Sequence, residues 1–123
     1  MPTTQIPFSE TPLGVPIELT NVRQSLHIAV NGTESTDAIF LWLVNTTTGA
    51  LTVTIDFGLN AGGNAQMIGK EVSVPARSAG KINVCDGQIL QNQKILAAYI
   101  VGATSGVNAV GYVVRTEPTP PVP

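Results

Sequence analysis

The chain has 123 residues, of which 43% are hydrophobic and only 11% are charged, and its formal net charge is −2. This length corresponds to a single domain, and the charged fraction is well below the roughly 25% of an ordinary soluble domain. Six basic and eight acidic residues without a basic cluster predict no nucleic-acid partner and no membrane partner. We therefore expect much of the surface to be covered by further copies of the chain or by a larger partner.

Prolines are concentrated at the two ends of the sequence, with four in residues 1–16 and four in residues 118–123. Proline fixes φ and cannot donate to a β-ladder. The sequence therefore predicts an extended N-terminal arm at residues 1–14, a folded domain at 15–116 and a Pro-rich tail at 117–123. The residues of the arm and tail that we expect to contact a partner are Ile6, Pro7, Phe8, Pro118, Pro120 and Pro121.

Between these ends, alternation and β-branched residues recur without a helical period. Strands are predicted at residues 15–20, 24–30, 38–45, 51–57, 67–74, 81–84, 94–103 and 107–116. Turn residues predict that 38–45 pairs with 51–57 and that 94–103 pairs with 107–116, while 67–74 and 81–84 flank another turn. The pattern is typical of an all-β, antiparallel two-sheet sandwich of about eight strands, jelly-roll or immunoglobulin-like.

The strand at residues 38–45 is apolar on both faces. One face, either Ile39, Leu41 and Leu43 or Phe40, Trp42 and Val44, is enough to fill the core of a sandwich. The other face then needs an apolar cover, and we expect Trp42 to contact a neighbouring subunit or an arm.

A cysteine–histidine nucleophile would need Cys85 beside His27, the only residues of their types. His27 shares a predicted strand face with Ser25 and Ala29, where we expect it to face solvent or an interface, and Cys85 is expected to be a small buried hydrophobe. A single cysteine fits a reducing compartment, and the N-terminus lacks a secretory signal. We predict no catalytic residues and synthesis in a cytosol.

Glu34 and Asp37 lie in a polar segment, residues 31–37, that we interpret as a solvated loop. A weak calcium site using these carboxylates and the Asn31 carbonyl is the alternative, although the spacing of an EF-hand is missing. The pair Gly62-Gly63 lacks the spacing of phosphate-binding loops and is interpreted as a flexible turn. The sequence therefore predicts no metal and no cofactor.

Aromatic side chains on an open sheet could stack against sugars. Phe57 follows the core parity of its strand and Phe40 shares a face with Trp42, so only Trp42, Phe8 and one of the two tyrosines, Tyr99 or Tyr112, could be exposed together. A carbohydrate-binding module is therefore an alternative function.

Four segments carry a family resemblance: Gln5-Ile6-Pro7-Phe8, the strand from Leu51 to Ile55, the segment from Val72 to Gly80, and Gly111-Tyr-Val-Val-Arg115. Together they resemble small β-sandwich virion proteins of tailed bacteriophages, most of all capsid decoration, or cement, proteins. The same style of strand occurs in tail, adaptor and fibre modules, which are the alternative within this group.

The resemblance implies a structural protein without catalytic residues or cofactor. It implies a chain made in the host cytoplasm and located on the outer surface of a phage head, where it binds the major capsid protein. It also implies a homo-oligomer, a dimer or trimer, that clamps neighbouring capsid subunits.

Overall fold

The computed structural model describes residues 3–8, 16–59, 70–76 and 81–118. These residues form strands β1 (Thr3–Ile6), β2 (Ile17–Glu18), β3 (Gln24–Ile28), β4 (Thr36–Asn45), β5 (Leu51–Leu59), β6 (Lys70–Val74), β7 (Lys81–Leu90), β8 (Ile95–Val101) and β9 (Val107–Thr116). The prediction of an all-β chain is confirmed, with nine strands in the described part where about eight were expected. None of the described residues forms a helix that could cross a membrane.

The strands form two antiparallel sheets that pack face to face. The first sheet has the order β1-β9-β4-β7, with β2 also paired to β9, and the second has the order β3-β8-β5-β6. From β2 to β9, consecutive strands lie in different sheets except for β5 and β6, which are neighbours in the second sheet. This is a jelly-roll topology, the first of the two sandwich types that the sequence predicts.

The predicted hairpins are wrong. Strand β4 belongs to the first sheet and β5 to the second, and β8 and β9 are separated in the same way. Strands β6 and β7, expected around one turn, also lie in different sheets. A turn signal marks where the chain reverses, but it does not distinguish a turn within a sheet from one that crosses between sheets. The need of each sheet to bury its inner face against the other sheet decides between these two kinds of turn.

The N-terminal segment is part of the sandwich, which corrects the prediction of a separate arm. Strand β1 pairs with the end of β9, from Thr3 opposite Thr116 to Ile6 opposite Val113. No proline lies within residues 3–6, so this four-residue ladder is uninterrupted although prolines flank it. Residues 1–2 and 9–14 of the predicted arm lie outside the described residues.

Phe8 is buried in the core, at 1% exposure. Its ring lies next to the backbone of Gly111, where an added Cβ would come 3.0 Å from Phe8 Cζ and would overlap the carbonyl oxygen of Phe40. The ring also lies 6.1 Å, centroid to centroid, from that of His27. The prediction that Phe8 contacts an external partner is therefore wrong for its side chain, because this site is already filled by the molecule itself.

A β-bulge in β3 turns His27 inward. Ser25 lies opposite Ala97 and His27 opposite Leu96, with an irregularity between them, so both Leu26 and His27 are buried. The expectation of a solvent-facing or interface histidine is wrong because simple alternation does not count the extra residue of a bulge.

Strand β7 forms one edge of the first sheet, and its pairing with β4 shifts register twice. The extra residues fall at Val84 and Gly87, and Gly87 has a φ of +97°. Bulges twist an edge strand and make it a poor template for further strand pairing. We therefore expect contacts with other molecules to use a face of this sheet rather than its β7 edge.

Substitution of Phe8→Ala should lower the free energy of unfolding of the free protein by about 3 to 5 kcal/mol, because a fully buried phenylalanine is removed and a cavity remains. Chemical denaturation followed by circular dichroism measures this loss. The matched control is Val22→Ala, at an exposed valine, which should change stability by less than about 0.5 kcal/mol. An equally small effect of Phe8→Ala would contradict the burial of Phe8 and support the prediction of a separate N-terminal arm.

Candidate interaction surface

Strand β4 has an apolar row on each side. Ile39, Leu41 and Leu43 are fully buried between the sheets, whereas Phe40, Trp42 and Val44 are half-buried on the outer side. This settles which of the two sequence-predicted rows fills the core. It also confirms that Phe40 and Trp42 share a face.

Strand β9 extends the outer row of β4 sideways. Val110 lies opposite Trp42, Tyr112 opposite Phe40, and Val114 opposite Ala38. Residues directly opposite one another in an antiparallel pair point to the same side of the sheet. We call this surface the aromatic face and define it by six residues: Phe40, Trp42, Val44, Val110, Tyr112 and Val114.

The three rings of the aromatic face contact one another. Phe40 and Tyr112 are stacked, with 4.9 Å between ring centroids and 15° between ring planes. Trp42 and Tyr112 are tilted, at 5.8 Å and 38°. Such pairs contribute about 0.5 to 1.5 kcal/mol each beyond area burial, so the rings are held in place before any partner binds.

Two residues of opposite charge border the aromatic face on β7. Lys81 lies opposite Val44 and places its Nζ 4.9 Å from the centroid of the Trp42 ring. Asp86 lies opposite Phe40 and is exposed. The ring of Phe40 lies next to Gly87 in the bulge, where an added Cβ would be in ordinary van der Waals contact with Phe40 Cζ, at 3.5 Å.

A buried ionic network joins the two sheets behind this surface. The carboxylate of Asp37 accepts hydrogen bonds from Arg115 Nε at 2.7 Å, Arg115 Nη2 at 3.0 Å and His27 Nε2 at 2.8 Å. The backbone N–H of Val30 donates a fourth, at 3.1 Å. His27 comes from the second sheet and Asp37 and Arg115 from the first, so the network fixes the sheets to each other.

Burial of Asp37 favours the neutral acid, but hydrogen bonds from Arg115 and His27, the charge of Arg115 and the N–H of Val30 outweigh it. Together they lower the pKa of Asp37 well below its ordinary range. The hydrogen bond from Arg115 to Asp37 raises the pKa of Arg115 against the opposing effect of burial, with help from the charges of Asp37 and Glu117. At neutral pH the network is therefore a carboxylate–guanidinium pair with a histidine donor.

The expectation that Asp37 lies with Glu34 in a solvated loop or a weak calcium site is wrong. Strand β4 begins at Thr36, and Asp37 is fully buried. Because Arg115, His27 and Val30 engage the carboxylate, Asp37 is not available to form the proposed calcium pair. Side-chain alternation along the strand predicts the burial of Asp37. It precedes Ile39, Leu41 and Leu43 at spacings of two and therefore points to the same side.

Asn45 continues the same inward row at the other end of β4. Its buried Nδ2 donates to the carbonyl oxygens of Gly49 at 2.8 Å and Val74 at 3.1 Å, and its Oδ1 accepts from the N–H of Thr47 at 2.8 Å. Val74 belongs to β6 of the second sheet. Each end of β4 is thus bonded to the opposite sheet through a polar side chain.

The outer face of the second sheet has a different character. Arg23 Nε donates to Asp56 Oδ2 at 2.7 Å and the guanidinium lies 5.7 Å from the centroid of Tyr99. Asp56 and Thr54 of β5 are both buried. An ion pair and a guanidinium beside Tyr99 lie on this face, whereas three rings in mutual contact lie on the first sheet, so the aromatic face is the candidate interaction surface.

The other sequence-predicted residues are distributed as follows. Ile6 and Pro7 are half-buried and Pro118 is exposed, whereas Pro120 and Pro121 lie outside the described residues. Cys85 is buried, as predicted. Gly62 and Gly63 also lie outside the described residues.

Within the described ranges, no three His, Cys, Asp or Glu side chains are grouped so as to hold a metal ion. Contacts of Trp42 and the prolines with a partner stay predictions.

Comparisons with known proteins give no family assignment. No family model and no curated protein matches the sequence. Among solved structures, a chain in the structure of infectious bursal disease virus, Gx strain, is similar with a TM-score of 0.44 and 14% identity. The similarity covers 94% of this chain and 32% of the viral chain, so this chain spans about a third of that protein. At this level the match assigns no function.

Substitution of Asp37→Asn should lower the free energy of unfolding at pH 7 by about 3 kcal/mol, the low end for a broken buried ion pair, because Arg115 keeps 27% exposure. The pKa of Asp37 is lower in the folded protein than in the unfolded chain. The stabilisation by Asp37 is therefore complete above the unfolded pKa of about 3.9. It is lost as the pH falls from there through the folded pKa. The gap between wild type and variant should therefore narrow in acid.

Urea denaturation at a series of pH values measures this gap. Glu34→Gln, at an exposed loop carboxylate, is the control and should follow the wild type within about 0.5 kcal/mol. A pH-independent gap would mean that the Asp37 carboxylate does not bind Arg115 and His27 as described.

Proposed function

We propose that this chain is a non-enzymatic structural protein of a phage virion that decorates the outer surface of the head. It binds the major capsid protein and clamps neighbouring capsid subunits. The observation that carries the proposal is the aromatic face, an ordered apolar surface on the outside of a chain with only 14 charged residues among 123. Such a surface is a feature of proteins that function by association.

The resemblance described above supplies the setting of this association. It indicates a protein made in the host cytoplasm and incorporated into the virion as a dimer or trimer. Each subunit of such an oligomer can contact a different capsomer, and linked contacts of modest strength then combine into durable attachment. With Phe8 in the core, the contacts with the capsid are assigned to the exposed Pro118 and the following tail residues Pro120 and Pro121, with Ile6 and Pro7 at the margin.

A jelly roll can also present its open sheet to a carbohydrate, and three aromatic rings on one sheet face favour that as a second candidate function. The ring contacts favour it less, because Phe40 and Tyr112 already stack on each other. Polysaccharide binding that is lost in Trp42→Ala would support this second function.

The proposed function is tested with heads purified from particles that lack the protein. Added protein should co-sediment with these heads at a copy number near that of the major capsid protein, and it should reduce DNA loss on heating. The triple variant Pro118→Ala, Pro120→Ala, Pro121→Ala should bind more weakly because alanine lacks the fixed φ by which proline reduces the entropy lost on binding, while its thermal transition stays unchanged. Glu34→Gln is the surface control and should bind like the wild type.

Recovery of the protein in tails but not in heads would contradict a decoration role and favour a tail, adaptor or fibre module. Unchanged head binding by the triple variant would remove the tail from the proposed contact.

A further inference from the structure

We propose that the aromatic face is a two-fold interface, in which Trp42 of one copy packs on Trp42 of a second copy and Lys81 of each pairs with Asp86 of the other. The biological role of this dimer rests on the proposed function. Its formation, however, is a property of the free protein. The occupant of the face is thus a second copy of this chain.

The positions of the two charges lead to this arrangement. Lys81 lies opposite Val44 and Asp86 opposite Phe40, and these two β4 residues are four positions apart, about 13 Å along the strand. Trp42 lies midway between them, opposite Asn83. The edge of the aromatic face is therefore positive at one end and negative at the other, with the tryptophan row at the centre.

A two-fold axis that crosses the strands at the tryptophan row reverses the direction of β7 in the second copy. It places each Lys81 above the Asp86 of the other copy and leaves Trp42 facing its own equivalent. Both ion pairs form together, because an interface of this symmetry contains every contact twice. Sheets that pack face to face stay within about 30° of alignment, so the strands keep the charges near each other.

The remaining residues fit the same arrangement. Val110 is 38% exposed in the free chain and lies in the tryptophan row, where the second copy would cover it. Tryptophan and tyrosine near the centre of a contact surface are typical of interface hot spots. Glu18, on β2 at the opposite margin of the sheet, stays at the rim. The charges outside the centre therefore select the orientation while the rings supply the contact.

The size of the face predicts a dissociable dimer. Strands β9, β4 and β7, each of ten residues and about 4.8 Å apart, give a flat area on the order of 500 Å² per copy. Standard interfaces bury about 800 Å² per partner. We therefore expect the dimer to separate on dilution.

Sedimentation equilibrium of the free protein from about 1 µM to 1 mM tests the proposal, with expected dissociation inside that range. Lys81→Glu and Asp86→Lys, each alone, place like charges opposite each other and should raise the dissociation constant at least about tenfold. The double variant Lys81→Glu, Asp86→Lys exchanges the charges and should return to within about threefold of wild type. Trp42→Ala should weaken the dimer more than either single reversal.

Two controls separate this effect from misfolding and from net charge. Glu34→Lys reverses an exposed charge outside the face and should leave the dissociation constant unchanged. The thermal transition of every variant, measured on the same samples, shows whether the fold is intact, and all charge variants should retain it because Lys81 and Asp86 are exposed.

A protein that stays monomeric up to 1 mM, one that forms a trimer, or single reversals that the double variant does not rescue would each overturn the two-fold interface. Because these measurements use the free protein, their outcome does not decide whether the protein binds heads. A dimer that does not bind heads would contradict the proposed function alone.

Discussion

The alternation of side chains along strand β4 determines how the two sheets pack. β4 pairs along its length with β9 on one side and β7 on the other, and five inward residues from Asp37 to Asn45 are all fully buried. The polar residues at the ends of this row, Asp37 and Asn45, bond to the second sheet through His27 and Val74. A slip of one residue would turn the aromatic rings inward and expose this row. The register of β4 therefore fixes the core and the interaction surface together.

The buried polar groups specify this register more than they stabilise it. A buried ion pair often contributes little net stability compared with apolar residues of the same volume, whereas removal of one partner is costly. Here four donors converge on the Asp37 carboxylate, and any other register would leave at least one of these groups buried without a partner. Phe8 closes the same end of the core, since its ring contacts that of His27. The N-terminal segment is thus needed to complete the sandwich, although its composition suggested an arm.

The sequence was sufficient for the fold class, because alternation and β-branched residues specify strands wherever they occur. It was insufficient for strand pairing, since the turn at residues 46–50 looks the same whether it joins strands of one sheet or crosses between two.

Simple parity also failed at His27, where a bulge adds a residue. At Asp37, parity indicates burial correctly, whereas its charge favours exposure to solvent. Trp42 and its face were identified because an apolar run with two faces needs two covers. The relation between Lys81 and Asp86 depended on the β7 register, with its two bulges, and could not be read from the sequence.

The outer row of β4 faces solvent in the single chain, and in the proposed dimer it faces a second copy. Trp42 is the only tryptophan, so intrinsic fluorescence with acrylamide quenching reports on this position without a label. We expect strong quenching at about 1 µM, and we expect it to decrease, with a blue shift of the emission, as the concentration rises to about 1 mM and the dimer forms. Protected emission at every concentration would place Trp42 in the core, and quenching that stays strong throughout would show that no second copy covers the face.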